Sequence, residues 1–422
     1  MKKVFKTKKS IIITAFACLL IVLSAFLLDR FVMDKASDID PAYAKVEVSV
    51  GNASVTPLRS DSDFVEAMKK YPIVEDSISG GILPIPGIYS VYGLQKKVKD
   101  KVYDLVKSKN FTPQGMTLGG GEQIPEGRIF ISAYDHAHKL NSVIFELDYA
   151  GNYIKTISLN NKAHVGGLGY DLETNTLWLG DKHSGQAVLS GLSQTDIDAY
   201  DIRRNKPIDY TYRLYIDTIK AASTIDFFHN NLWVGYFTQN SAKAQIQAFN
   251  VDFDKQNENE LVLKVGNTEK TYYSGKSNEW HVSANYAFSV PKKVQGVAVN
   301  AKYLFLTRSF GNSNSKISRY NIKWNKDKPS LSEIGKTVTL PPYLEEVAIT
   351  DVRAKSETAD QLKTFIYPLF ESSQSNYRKK TKAYVDRIFG ISQTTFNKYA
   401  KTDKSVPKLK AIPVKPVIRK SK

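Results

Sequence analysis

The sequence predicts an all-β fold, a β-propeller with five recognisable blades and room for a degenerate sixth. Three recurrences carry this expectation. A polar start and short apolar run appears as PQGMTL (113–118), HVGGLGYD (164–171), STIDFF (223–228), VQGVAV (294–299) and LEEVAI (344–349). A second apolar run follows each copy across a turn: RIFISAYD, TLWLGD, NLWVGYF, YLFLTRSF and, after a longer insertion, FIYPLFES. A third, alternating run comes next: SVIFELD, AVLSGLS, AQIQAFN, KISRYNI and DRIFGIS.

Alternation with β-branched and aromatic residues is what a half-buried strand requires. Anchored on Gln114, Gly166, Ser223, Gln295 and Glu345, the copies are 52, 57, 72 and 50 residues apart. Repeats of this length with three or four strands are the mark of radially packed blades that leave only short edges. Fourth strands are expected at YIKTISL, RLYIDTI, LVLKVG and KTVTL; the last copy has no clear one. Closure is therefore assigned to residues 36–112, as the missing strand or as a sixth blade. Within them QKKVKDKVYDLVKSKN spaces apolar residues at 98, 102, 105 and 106, as one helical face would.

Charge divides the chain into parts. The formal net charge is +17, of which residues 1–35 hold +5 and residues 376–422 hold +12, leaving the body neutral. No specific nucleic-acid partner is expected of a body without a positive field. The leader places Lys2, Lys3, Lys6, Lys8 and Lys9 before an uncharged run from Ile11 to Leu28. Eighteen helical residues span about 27 Å, close to a hydrocarbon core. Lysines on the near side keep it cytoplasmic, so residues 1–35 read as a basic leader and single-pass signal anchor with the propeller extracellular. A cleaved signal peptide is the rival, but its small-x-small candidate, Ala42-Tyr43-Ala44, lies far beyond the run. Cys18, the one cysteine, sits in this run, so the exported body forms no internal disulfide.

The propeller is assigned to residues 113–396 and a basic Pro/Lys tail to 397–422. Ending SVPKLKAIPVKPVIRKSK, the tail reads as extended and unable to bury a core. Anionic wall polymer or lipid headgroups are its expected partners. No LPxTG-like motif is present, so covalent wall attachment is not expected, and the protein is expected to be a monomer.

With QG or GG opening the inner strand and LWLGD or LWVG closing the hairpin, residues 113–396 resemble the secreted propellers of the NHL and lactonase-like superfamily. Calcium-dependent lactonases of that kind line the axis with a Glu, Asn and Asp set. The matching positions here read Gln114, Gly166, Ser223, Gln295 and Glu345, which departs from that set. The resemblance implies the fold, and a fold alone transfers no activity.

Propeller geometry predicts where a site lies, because the start of each first strand and the end of each second strand share one mouth. Strand starts bring Gln114, His164, Ser223, Gln295, Glu345 and Glu346; the loops after second strands bring Tyr134, Asp135, His136, His138, Asp181, His183, Tyr236, Arg308 and Glu371. Four of the six histidines are among them. Such a concave polar mouth is the default ligand site. Glu345 and Glu371 are candidates for an acid and base pair, with His164 beside them. His136 and His138, with His164 or Asp135, are the candidates for a divalent cation. Trp178 and Trp233 occupy equivalent second-strand positions and are expected between blades. Gly119, Gly120 and Gly121 read as a turn, and DFDKQNENE, where an EF-hand-like string fails at its glycine, as a polar surface loop. HExxH, GxSxG and GxxxxGK[ST] are absent. The chain reads as a membrane-anchored extracellular propeller that binds a surface glycan or peptide or scaffolds an envelope protein. A hydrolase or lyase acting in the mouth is the alternative: paired carboxylates in a closed funnel favour chemistry, an aromatic rim favours binding. The lysine-rich composition suggests a bacterial surface protein.

Overall fold

In the computed structural model, residues 48–78, 82–97, 102–119, 127–183, 186–257, 260–273, 278–326, 328–331, 335–352, 363–404, 406 and 408–414 are described. They form a five-bladed β-propeller. The inner strands are Phe111–Gly119, Leu168–Asp171, Thr224–Phe228, Val294–Val299 and Leu344–Val352, and each touches the next until the fifth touches the first. The ring closes with five, and no sixth blade exists among the described residues.

Each inner strand pairs antiparallel with the second strand of its own blade. Third strands are Val143–Asp148, Gln186–Ser193, Gln245–Asn257, Ser315–Asn325 and the short Ile391–Ser392. Fourth strands are Tyr153–Ser158, Tyr212–Ile216, Tyr286–Ser289 and Lys336–Leu340, and the fifth blade has three strands.

Apolar residues on the blade faces merge into five clusters, one per seam between neighbours. Trp178, Leu214, Ile225 and Phe249 join blades two and three; Trp233, Ile246, Val297 and Leu304 join three and four. Both tryptophans are fully buried, as expected, Trp178 stacking on Tyr212 at 5.5 Å. The remaining seams centre on Phe130 with Leu168, Phe305 with Val347, and Ile131 with Leu369.

Several expectations are corrected. Val91–Lys96 and Tyr103–Ser108 pair antiparallel as strands rather than forming a helix. Gly93 leaves room for the Phe111 ring, which would stand 2.8 Å from a β-carbon there. LVLKVG is not the fourth strand of blade three. The third strand is thirteen residues long; its first half takes Tyr286–Ser289, and its extension, which includes most of DFDKQNENE, pairs with Glu260–Val265. That stretch is therefore strand rather than surface loop.

Closure comes from helices Asp61–Met68 and Pro72–Ile78, which pack Phe64, Met68 and Val74 against the fourth and fifth blades, and from Ile82–Pro84 pairing with Arg387–Phe389. A buried ionic knot fastens them. Asp386 accepts from the Leu58 and Arg59 amides at 2.8 and 2.9 Å, and Arg387 binds Asp386, Asp61 and the Arg59 carbonyl.

The tail is also corrected. Lys401–Thr402 pairs with Lys336–Thr337 at the edge of blade four, and Lys410–Ala411 with Phe288–Ser289 at the edge of blade three. Between them Val406 and Leu409 are buried in the seam of those blades. Edge strands carry unpaired amides and carbonyls, and an extended chain with two apolar anchors satisfies them. The apolar run Ile11–Leu28, Ala42-Tyr43-Ala44, Gly120, Gly121 and residues 415–422 lie outside the described residues. Among the described residues no helix is long and apolar enough to cross a membrane.

Candidate functional site

At one end of the axis, three inner strands break register at the same level: between Pro113 and Met116, between Val294 and Val297, and between Leu344 and Glu346. A bulge frees its extra residues from pairing and re-aims their side chains. The freed residues include Gln114, Gln295 and Glu345. The glycines beside them serve close approach: a β-carbon on Gly166 or Gly167 would lie 2.2 Å from the Ser223 oxygen or 2.1 Å from the Ile225 nitrogen of the next blade. This is why QG and GG recur.

The fifth blade has Glu346 where others have glycine or threonine. Its carboxylate fills the space opposite Gly296 and accepts from the Thr224 hydroxyl at 3.1 Å and from the Val297 and Val347 amides at 3.0 and 2.9 Å. Fully buried, Glu346 is bonded between the inner strands of blades three, four and five rather than facing a ligand.

Beside it runs a hydrogen-bonded chain of side chains. The Gln295 amide reaches Glu345 at 3.5 Å, Glu345 bonds to Glu371, and Gln114 donates to Glu371 at 3.4 Å. Glu371 also bonds Tyr377, whose hydroxyl lies 3.4 Å from that of Tyr134; Tyr134 in turn lies 3.2 Å from His136 Nδ1. Burial pushes both glutamates up, Glu371 to about 7, and the Glu371 carboxyl beside it raises Glu345 further. Two carboxyls in contact away from bulk water retain a proton between them near neutrality. Burial also raises Tyr134 and Tyr377, so both phenols remain donors.

Aromatic rings form the wall. His164 lies flat on Tyr134 at 3.9 Å, with the His138 ring 5.9 Å from it and 5.6 Å from Tyr134. Desolvation against Tyr134 and the neighbouring imidazoles lower the His164 pKa. Across the mouth Tyr343 meets Tyr377 at 5.2 Å, and the loops ending the second strands of blades three and four bring Phe237 and Phe310 together at 6.2 Å, with Lys293 over Phe310. Phe310 is 45% exposed. Sequence reading missed Tyr343, Tyr377, Phe237 and Phe310; the shared place of Phe237 and Phe310 after the second strand was the available signal.

The structure thus gathers Gln114, Tyr134, His136, His138, His164, Gln295, Glu345 and Glu371. It separates others. Asp135 caps its own loop, accepting from the Lys139 and Leu140 amides at 2.8 and 3.0 Å. Asp181 accepts from Asn161 at 2.5 Å, and the Tyr236 hydroxyl donates to the Lys243 carbonyl at 2.5 Å. His183 stands beside Tyr215 of the fourth strand, and Arg308 turns outward to Asp403 at 3.4 Å. Thr307 takes the inward position, donating to the Glu345 carbonyl at 3.0 Å. Ser223 contributes its carbonyl to the Gly166 contact. Among the described residues no three His, Cys, Asp or Glu side chains are arranged to hold a metal; His138 and His164 stack on each other instead, and His136 meets Tyr377 edge-on.

No family model and no curated protein matches the chain. Solved structures similar to it include a Thermus thermophilus protein described as an oxidoreductase (glucose dehydrogenase), at 10% identity and a TM-score of 0.31, covering 66% of this chain and 96% of that one. The tail fiber of a Staphylococcus aureus phage matches at 11% identity and 0.34, covering 74% and 54%. The WD40 propeller domain of Doa1 matches at 11% and 0.26, covering 72% and 98%.

Proposed function

We propose that this chain is a membrane-anchored extracellular propeller, of the NHL and lactonase-like kind, whose axial mouth binds a glycan of the cell surface. One observation carries the reading: side chains from several blades put amide and carboxyl groups on the floor and aromatic rings on the wall of one concavity. A sugar ring offers hydroxyls that carboxyl and amide groups hold with directional hydrogen bonds, and an apolar face that lies on an aromatic ring.

The anchor rests on the Lys-flanked apolar run, and the bacterial surface setting on composition. The QG, GG and LWLGD pattern supports the superfamily kinship. Binding of soluble wall-derived oligosaccharides and peptides, measured by calorimetry, tests the reading. Oligosaccharides should bind, and His164→Ala and Glu345→Ala should abolish binding with little change in Tm. Peptide binding alone, or binding that survives both changes, contradicts it.

A second reading has its own support in the proton shared by Glu345 and Glu371. A carboxylic acid and a carboxylate in contact can activate a water and protonate a leaving group. Glycosidase carboxylates stand about 5 Å or more apart, so a directly bonded pair departs from that arrangement. Turnover of a bound oligosaccharide, lost in Glu371→Gln while binding remains, would establish it.

A further inference from the structure

A groove of about 660 Å³ lies at the outer edge of blade four. Three chain segments build it. The turn between the two N-terminal helices supplies Lys70 and Tyr71, the outer strands of blade four supply Lys316 and Thr337, and the docked tail supplies Lys401 and Lys404. Four lysines line it against one acid, Asp403. That acid is already matched, by Lys316 Nζ at 2.8 Å and Arg308 at 3.4 Å. Lys70, Lys401 and Lys404 are exposed, and no ion pair joins them to another group among the described residues.

We infer that this groove binds a phosphodiester-linked polyanion, independently of what the mouth binds. Like charges are brought together from three parts of the chain at a cost in repulsion, which a bound anion relieves. The basic groups lining the groove are lysines, with no arginine fork. Arginine suits a planar carboxylate held bidentately, whereas lysine is a mobile point charge that follows tetrahedral phosphates along a repeat. Threonine hydroxyls of the outer strand add neutral donors. The volume exceeds that of one ion and fits several repeat units. Placement of the tail follows too: its pairing with blade four brings Lys401 and Lys404 to Lys70.

The test uses the full extracellular body with a soluble poly(glycerol phosphate), inorganic phosphate, vesicles containing phosphatidylglycerol and a single-stranded oligonucleotide as probes. The polymer should bind, with affinity falling on the order of tenfold between about 50 and 200 mM salt. A triple change of Lys70, Lys401 and Lys404 to Gln should weaken it about tenfold with Tm unchanged and a shallower salt dependence. Changing Lys162, Lys220 and Lys302, exposed elsewhere, to Gln should leave binding as it was. Equal loss in both triple variants, no loss in the first, or preference for vesicles or oligonucleotide over the polymer overturns the inference. A failure here leaves the glycan reading of the mouth standing, since His164 and Glu345 report on that.

Discussion

Glu371 illustrates how one residue's surroundings become a measurable property. Its carboxyl is held at about 7 in the folded state by burial beside Glu345, whereas an unfolded glutamate titrates near 4.3. The folded state therefore binds a proton that the unfolded state has released, and stability falls as pH rises through that window. Between about pH 5 and 8 the protein should lose on the order of 2 kcal/mol from this pair. Glu371→Gln should flatten the decline when denaturant unfolding is followed at each pH; an unchanged slope would place the effect elsewhere. Gly167→Ala should cost about 3 kcal/mol or more, since backbone of the next blade blocks its β-carbon. Trp178→Ala should cost roughly 3–5 kcal/mol by opening a cavity in the seam of blades two and three. The repeated QG and GG, and the paired tryptophans, were legible because each reflects a constraint every blade shares. Glu346 was not: its burial depends on the missing side chain of Gly296, in another blade, and spacing carries no information about that complement.

At the scale of elements, strands with clean alternation were legible and their partners less so. Val91–Lys96 and Tyr103–Ser108 carried too few apolar positions to separate a helical stripe from two short strands, and packing under Phe111 decided between them. The bulges that free Gln114, Gln295 and Glu345 left no mark in the alternation, because a bulge is a property of the pair of strands. The tail looked like solvent-borne chain because lysines and prolines dominate it, yet Val406 and Leu409 suffice to seat it over two edges. Removing residues 401–422 should lower stability by roughly 2–4 kcal/mol, the burial of two apolar side chains less the freedom regained. Thermal unfolding of the truncated body checks this, and an unchanged Tm would show that the strap is not held.

For the whole molecule, five seams and a ring of five inner strands gather residues more than two hundred positions apart onto one face. That convergence was legible, because strand order alone fixes which loops share a mouth. Its chemistry was less so, since the rim draws on Tyr343 and Tyr377, which lie outside the repeated runs. The proposed membrane anchor carries its own expectation: protease added to intact cells should digest the body and spare a tag placed before Lys2, and the reverse pattern would contradict the proposed topology. The most direct test of the central claim is a crystal structure of the body soaked with the oligosaccharide that binds it. A sugar ring should lie over His164, which covers Tyr134, with its hydroxyls on Glu345 and Glu371; a ring seated anywhere else, with the axial mouth left to water, would contradict the account.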